Sequence, residues 1–104
     1  MAVTAKHLAH GVAGTSLSTM YVTPSATQTI ISSAIFHNTD SSSCTIDLFI
    51  EISSTDYQIW HQTIAANGTF VMNERLVLEA THEFKIQAST ISVIHYLVSG
   101  AEIT

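Results

Sequence analysis

The sequence predicts an all-β domain: an antiparallel β-sandwich of about eight strands with jelly-roll-like order. Three observations lead there. Short apolar runs recur at roughly ten-residue spacing, separated by breaks rich in Ser, Thr, Asn and Asp. The clearest run alternates, with Ile46, Leu48, Ile50 and Ile52 on one face, Thr45, Asp47 and Glu51 on the other, and Phe49 the exception. That period of two belongs to a half-buried antiparallel strand. No stretch sustains a helical period.

The elements follow in order. Leu17 to Thr23 reads as a first strand, ended by Pro24-Ser25-Ala26, because proline fixes φ and has no amide hydrogen to donate. Gln28 to Asn38, rich in Ile and Thr, has the length of a long strand, and Thr39 to Ser43 is a polar loop. Thr45 to Ile52 then turns through Ser53 to Asp56 into Tyr57 to Ile64. Asn67-Gly68 precedes Thr69 to Met72 and signals a tight turn of type I′, since both residues tolerate positive φ. Leu76 to Leu78 and Glu83 to Ala88 are short strands. Ile91 to Ser99, continuing toward Ile103, is apolar on both faces like a central strand, and Gly100 marks a bulge or bend.

Residues 1–16 stand apart. They are rich in small residues, hold two of the four glycines and show no sustained period. They read as an N-terminal arm or flexible segment preceding a sandwich over 17–104, with a packed edge segment as the plainer alternative.

Composition narrows the function. At 104 residues the chain fits one domain. Only 11% of residues are charged, against about 25% in an average soluble domain. Ser and Thr, about a quarter of the chain, take their place. Such a surface suits a subunit covered by neighbours. No apolar run approaches the roughly 20 residues of a spanning helix, which argues against a membrane partner, and residues 1–14 lack the apolar core of a secretory signal. A net charge of −5, with three Lys and Arg together, argues against nucleic acid.

The residues that carry chemistry do not assemble into a motif. Cys44 is the single cysteine, so neither an intrachain disulfide nor a cysteine zinc cluster forms. The six histidines lack metal-ligand spacing: His7 and His10 lie in the N-terminal segment, and His37, His61, His82 and His95 are isolated. Asp47 and Glu51, four apart on one strand face, would stand about 13 Å apart, and read as a solvated outer face. Neither a Gly-x-Ser-x-Gly elbow nor a phosphate-binding glycine loop occurs. No catalytic residue, metal site or cofactor is assigned, and the chain reads as no enzyme. Tyr57 and Trp60, three apart on one strand, are placed on opposite faces, one in the core and the other an exposed or interface aromatic. An exposed Trp60 beside Gln58 and Gln62 suggests sugar stacking, as in a carbohydrate-binding module.

With the strands placed, a resemblance emerges over residues 17–104. It rests on the order of Leu17 to Pro24, Thr29 to Asn38, Ile64 to Met72, Leu76 to Ala80, Phe84 to Ser89 and Val98 to Ile103. This order resembles the small β-sandwich virion proteins of tailed bacteriophages. Where that family usually has Gly-Asp after Glu-Ala, this chain has Thr81-His82, which implies a turn that does not depend on glycine. The resemblance implies a capsid decoration or cement protein on the virion surface, made in the bacterial host cytoplasm. Its partners would be the major capsid protein and itself, as a homotrimer or homodimer. A neck, tail or fibre component is the alternative. Lys6, His7, Leu8 and His10 are the candidate capsid contacts.

Overall fold

The computed structural model describes residues 2–104. Among them nine strands form: β1 (Val3–Val12), β2 (Ser18–Val22), β3 (Gln28–Asn38), β4 (Cys44–Ile52), β5 (Thr55–Ile64), β6 (Thr69–Met72), β7 (Leu76–Leu78), β8 (Glu83–Ala88) and β9 (Ile94–Ile103). One sheet has five strands in the order β1-β9-β3-β6, with β7 also paired to β3; the other has four, in the order β2-β8-β4-β5. Every pairing is antiparallel.

The topology is that of a chain folded in half and then rolled. β4 and β5 form a hairpin at the fold point; beyond it β3 meets β6 and β7, β2 meets β8, and β1 meets β9. Rolling that ladder closes β9 onto β3 and β8 onto β4. With β7 set aside as a short addition, this is a jelly roll. Phe36, Ile31 and Val98 from one sheet and Phe84, Leu48, Ile46 and Ile86 from the other are fully buried between the layers. Each such side chain contributes about 1.5–3 kcal/mol of apolar burial.

Residues 2–16 are where the structure departs most from the leading sequence reading and takes the plainer alternative, a packed edge segment. Val3–Val12 is neither a free arm nor a loose tail; it is an edge strand paired with β9 from Val3↔Ile103 to Val12↔His95. Its small residues conceal the pattern: Ala9 and Gly11 pack inward without a hydrophobic signal. Gly11 sits opposite Tyr96, whose ring covers it; a Cβ there would lie 2.7 Å from the phenol oxygen. The roll starts at β1, so the boundary expected at residue 16 does not separate an arm from the sandwich.

Turns supply further corrections. The type I′ geometry is at Ser53-Ser54, both with positive φ (51° and 67°), where a two-residue loop joins the directly paired Ile52 and Thr55. Loop length demands it there, because primed turns match the twist of a hairpin. Asn67-Gly68 instead carries the chain from one sheet to the other. Asn67 alone has positive φ, and the Gly68 amide donates to Ala65 O at 2.8 Å, as in a type II turn. β9 starts at Ile94, later than Ile91, because Ser92 turns at φ 63° and its amide donates to Ala13 O.

The turn at Thr81-His82 does need glycine-like geometry. Thr81 has φ 69°, held by its amide donating to Thr23 O at 3.0 Å and by the His82 amide donating to Glu79 O at 3.1 Å. A β-branched residue is strained there. Thr81→Gly keeps both bonds and relieves the strain, so it is expected to raise stability by about 1 kcal/mol, read as a higher urea midpoint at unchanged slope.

The edges are blunted. β1 bulges at Leu8, β2 at Met20 and β5 at Ile59, where each strand's register shifts by one residue. The remaining edge is made of β6 and β7, only four and three residues long. Bulges and short strands both discourage edge-to-edge pairing with another chain.

Candidate functional surface

The two outer faces of the sandwich differ in chemistry. On the four-stranded sheet, alternation brings Asp47, Glu51, Asp56, Glu83 and Lys85 outward. Asp47 accepts from His61 Nδ1 at 2.5 Å and from Gln58 Nε2 at 3.0 Å. Lys85 bonds Glu51 and, at 3.0 Å, Asp56, and these two carboxylates hold its ammonium above the ordinary lysine range. Asp47 and Glu51 are thus each engaged with their own partner, not aimed together at a cleft.

The outer face of the five-stranded sheet is the opposite. Outward positions are Val3, Ala5, His7, His10 and Val12 on β1, and His95, Leu97, Ser99, Ala101 and Ile103 on β9. β3 adds Ile30, Ser33, Ile35 and His37, flanked by Thr69, Val71 and Val77 of the short strands. None of these is Asp, Glu, Lys or Arg. One cross-strand row runs Val71, Ile35, Leu97, His10; the next runs Thr69, His37, His95, Val12. Val71 (44%), Ile35 (38%) and Leu97 (42%) are solvent-exposed, an apolar ridge across three strands.

Four of the six histidines meet on this face. The Leu8 bulge turns His10 to the same side as His7, and His10 Nδ1 lies 3.1 Å from His7 Nε2. His37 and His95 are direct cross-strand partners, and His37 Nδ1 lies 2.8 Å from Thr69 Oγ1. Among the described residues no three His, Cys, Asp or Glu side chains converge as a metal site.

The four proposed contact residues therefore separate. His7 and His10 belong to the uncharged face. Leu8, the bulge residue, packs against the core. Lys6 turns the other way and donates to Glu102 Oε1 at 3.0 Å. Tyr57 and Trp60 are not on opposite faces: the bulge at Ile59 reverses the alternation, so both share the inner side, opposite Ile50 and Leu48. Trp60 is half-buried, tilted against Phe70 at 5.7 Å, with Nε1 donating to Gln62 Oε1. Tyr57 remains exposed near the sheet edge. Cys44 is buried, its Sγ 3.4 Å from Ser89 Oγ. A shallow depression of ≈ 410 Å³ lies at one end between Thr27, Gln28, Glu79 and Ile103, with Glu79 its one acidic side chain.

Lys6 belongs to a polar link between the sheets. Tyr21 OH of β2 donates to Glu102 Oε2 of β9 at 2.6 Å and lies 2.8 Å from Thr29 Oγ1 of β3. Burial, then the bond to Glu102, pushes the Tyr21 phenol up to about 12. The same bond, then the one from Lys6, holds the Glu102 carboxyl below its ordinary value. The signs follow. The stability from neutral Tyr21 is complete below the unfolded value near 10 and is lost as pH rises toward about 12. That from ionised Glu102 is present above the ordinary carboxyl range and is lost as pH falls through the lowered value. Tyr21→Phe is expected to cost about 1–2 kcal/mol at neutral pH and to flatten both limbs of a stability–pH profile. Tyr96, also raised by burial, leaves part of the alkaline slope in place.

No protein-family model, curated protein or solved structure matches this chain. The protein is an antiparallel β-sandwich with one acidic and one uncharged outer face.

Proposed function

We propose that this chain is a structural subunit of a virus particle, a decoration or cement protein of a tailed-phage head, with the major capsid protein and itself as partners. The observation that carries the assembly role is the outer face of the five-stranded sheet, which lacks any formally charged residue in a chain of net charge −5. Charged residues are depleted from the cores of permanent interfaces, and a sheet face left bare of them suits burial against neighbours. The order of motifs over 17–104 supplies the phage reading.

The work of such a subunit is mechanical. Each copy buries an apolar sheet face and a few hydrogen bonds, and repetition around a shell multiplies a modest contact energy. Binding to the assembled state alone stabilises that state by mass action.

Quantitative mass spectrometry of purified particles from the system that encodes the chain tests this. Many copies per particle, scaling with the major capsid protein, support a head protein. A count matching a single ring moves it to the neck or tail. Absence from the particles overturns the virion reading.

A further inference from the structure

We infer that the uncharged outer face of the five-stranded sheet is a self-association surface, on which a second copy of this chain seats face to face. The inference rests on the reading of this face as an assembly surface and names its occupant.

Charge decides first. Two copies of a chain with net charge −5 repel wherever their acidic surfaces meet. The outer face of β1, β9, β3, β6 and β7 is the broad surface on which like meets like without that repulsion. Glu74, Arg75 and Glu79 lie in the connections flanking β7, outside the strands of the face. A two-fold contact is self-complementary by definition, and a sheet face of mostly apolar side chains with a few hydroxyls and imidazoles and no formal charge meets that requirement with no further tailoring.

Geometry decides next. Three strands of ten or eleven residues and the two short ones beside them, about 4.8 Å apart, present roughly 600 Å² of sheet. That approaches the roughly 800 Å² per partner of a standard stable interface. The ridge of Val71, Ile35 and Leu97 runs from the edge strand β6 across β3 to β9, and the side chains of stacked sheets interdigitate over such a ridge. The competing mode, strand addition at an edge, is opposed by the bulges of β1, β2 and β5 and by the shortness of β6 and β7.

The histidines make the contact pH-sensitive. His7 and His10 on β1, His95 on β9 and His37 on β3 stand on this face with no carboxylate among them; Lys6 and Glu102 are turned to the other side. Imidazole is the side chain that takes on positive charge in mild acid. Two apposed faces would then repel, so the dimer forms at neutral pH and separates in acid.

Sedimentation velocity on the full chain tests this. At about pH 7.5 the expected species is twice the 11.2 kDa chain. Leu97→Lys and Ile35→Lys are each expected to weaken association at least about tenfold, with circular dichroism showing the fold intact. Gln87→Lys on the acidic face should not weaken it. Mixing Leu97→Lys with Leu97→Glu chains should restore a dimer, which a misfolded variant cannot do. Acidification to about pH 5.5 should weaken the wild-type dimer about tenfold, and replacing His10, His37 and His95 by Gln should remove that dependence. A wild-type monomer, or a dimer broken by Gln87→Lys and indifferent to Leu97→Lys, overturns the surface; a dimer equally tight in acid overturns the histidine part. A monomer from particles that carry many copies defeats this inference and leaves the virion reading standing.

Discussion

Gly100→Ala is expected to destabilise the domain by about 3 kcal/mol or more, the largest loss from any single methyl group added here. A Cβ at Gly100 would lie 1.9 Å from Ile30 O and 3.1 Å from Ile31 Cα. Both are backbone atoms of the central strand β3, so no side chain can rotate away. Gly100 also pairs with Lys6 on β1, so β9 is held from both sides. The register shifts by one residue on both neighbours beside it, at Leu8 of β1 and at Ser32 of β3. Its φ is not positive, so glycine is needed for space rather than for backbone freedom. Serine should therefore fail as badly as alanine. Against a total stability of roughly 5–15 kcal/mol, the loss should lower the melting temperature by well over 10 °C at about 4–8 °C per kcal/mol. An unchanged melting temperature would mean that β9 and β3 do not approach this closely.

The second large effect is Asn38→Asp, nearly isosteric and opposite in chemistry. Asn38 is fully buried at the end of β3. Its Nδ2 donates to Ser42 O at 2.9 Å and Ile64 O at 3.1 Å, with Ala65 O at 3.2 Å, and its Oδ1 accepts from the Asp40 amide at 3.0 Å. One side chain thus ties the β3–β4 loop to the crossover between the sheets. An aspartate keeps the acceptor and turns its second oxygen toward the three carbonyls. The expected cost at neutral pH is about 3 kcal/mol or more, since one oxygen of a buried carboxylate then faces only acceptors. Protonation restores a donor, and the folded-state carboxyl would titrate well above its unfolded value. The variant should therefore be most stable in mild acid and lose stability as pH rises through that raised value. Urea denaturation of Asn38→Asp and Asn38→Ala side by side checks this: only the Asp variant should show the added pH dependence.

The chemistry of this protein was less legible from the chain than its architecture. Gln28–Asn38, Thr69–Met72, Leu76–Leu78 and Glu83–Ala88 have the bounds read from the sequence, because β-branched runs and turn residues are local signals. β1 was read first as an arm, with a packed edge segment only as the alternative, because Ala9 and Gly11 pack inward without an apolar alternation; the paired spacing of His10 and Val12 was the faint sign of an outward face. The candidate surface was harder. Four histidines that look isolated along the chain lie on three neighbouring strands, and the absence of charge from five outward strand faces is a property of the sheet, visible only once strand order is known.

The sequence by itself determined the class: strands, their approximate number, and a sandwich closed by β-turns. These follow from side-chain alternation and backbone restriction, which act over a few residues. Only the tertiary structure decided which side each strand shows to solvent. Bulges at Leu8, Ser32 and Ile59 shift the alternation by one residue, bringing His7 with His10 and Tyr57 with Trp60 onto common faces. A bulge is a mismatch between two strands, two residues against one, so its position is set by the partner strand and not by the segment that carries it.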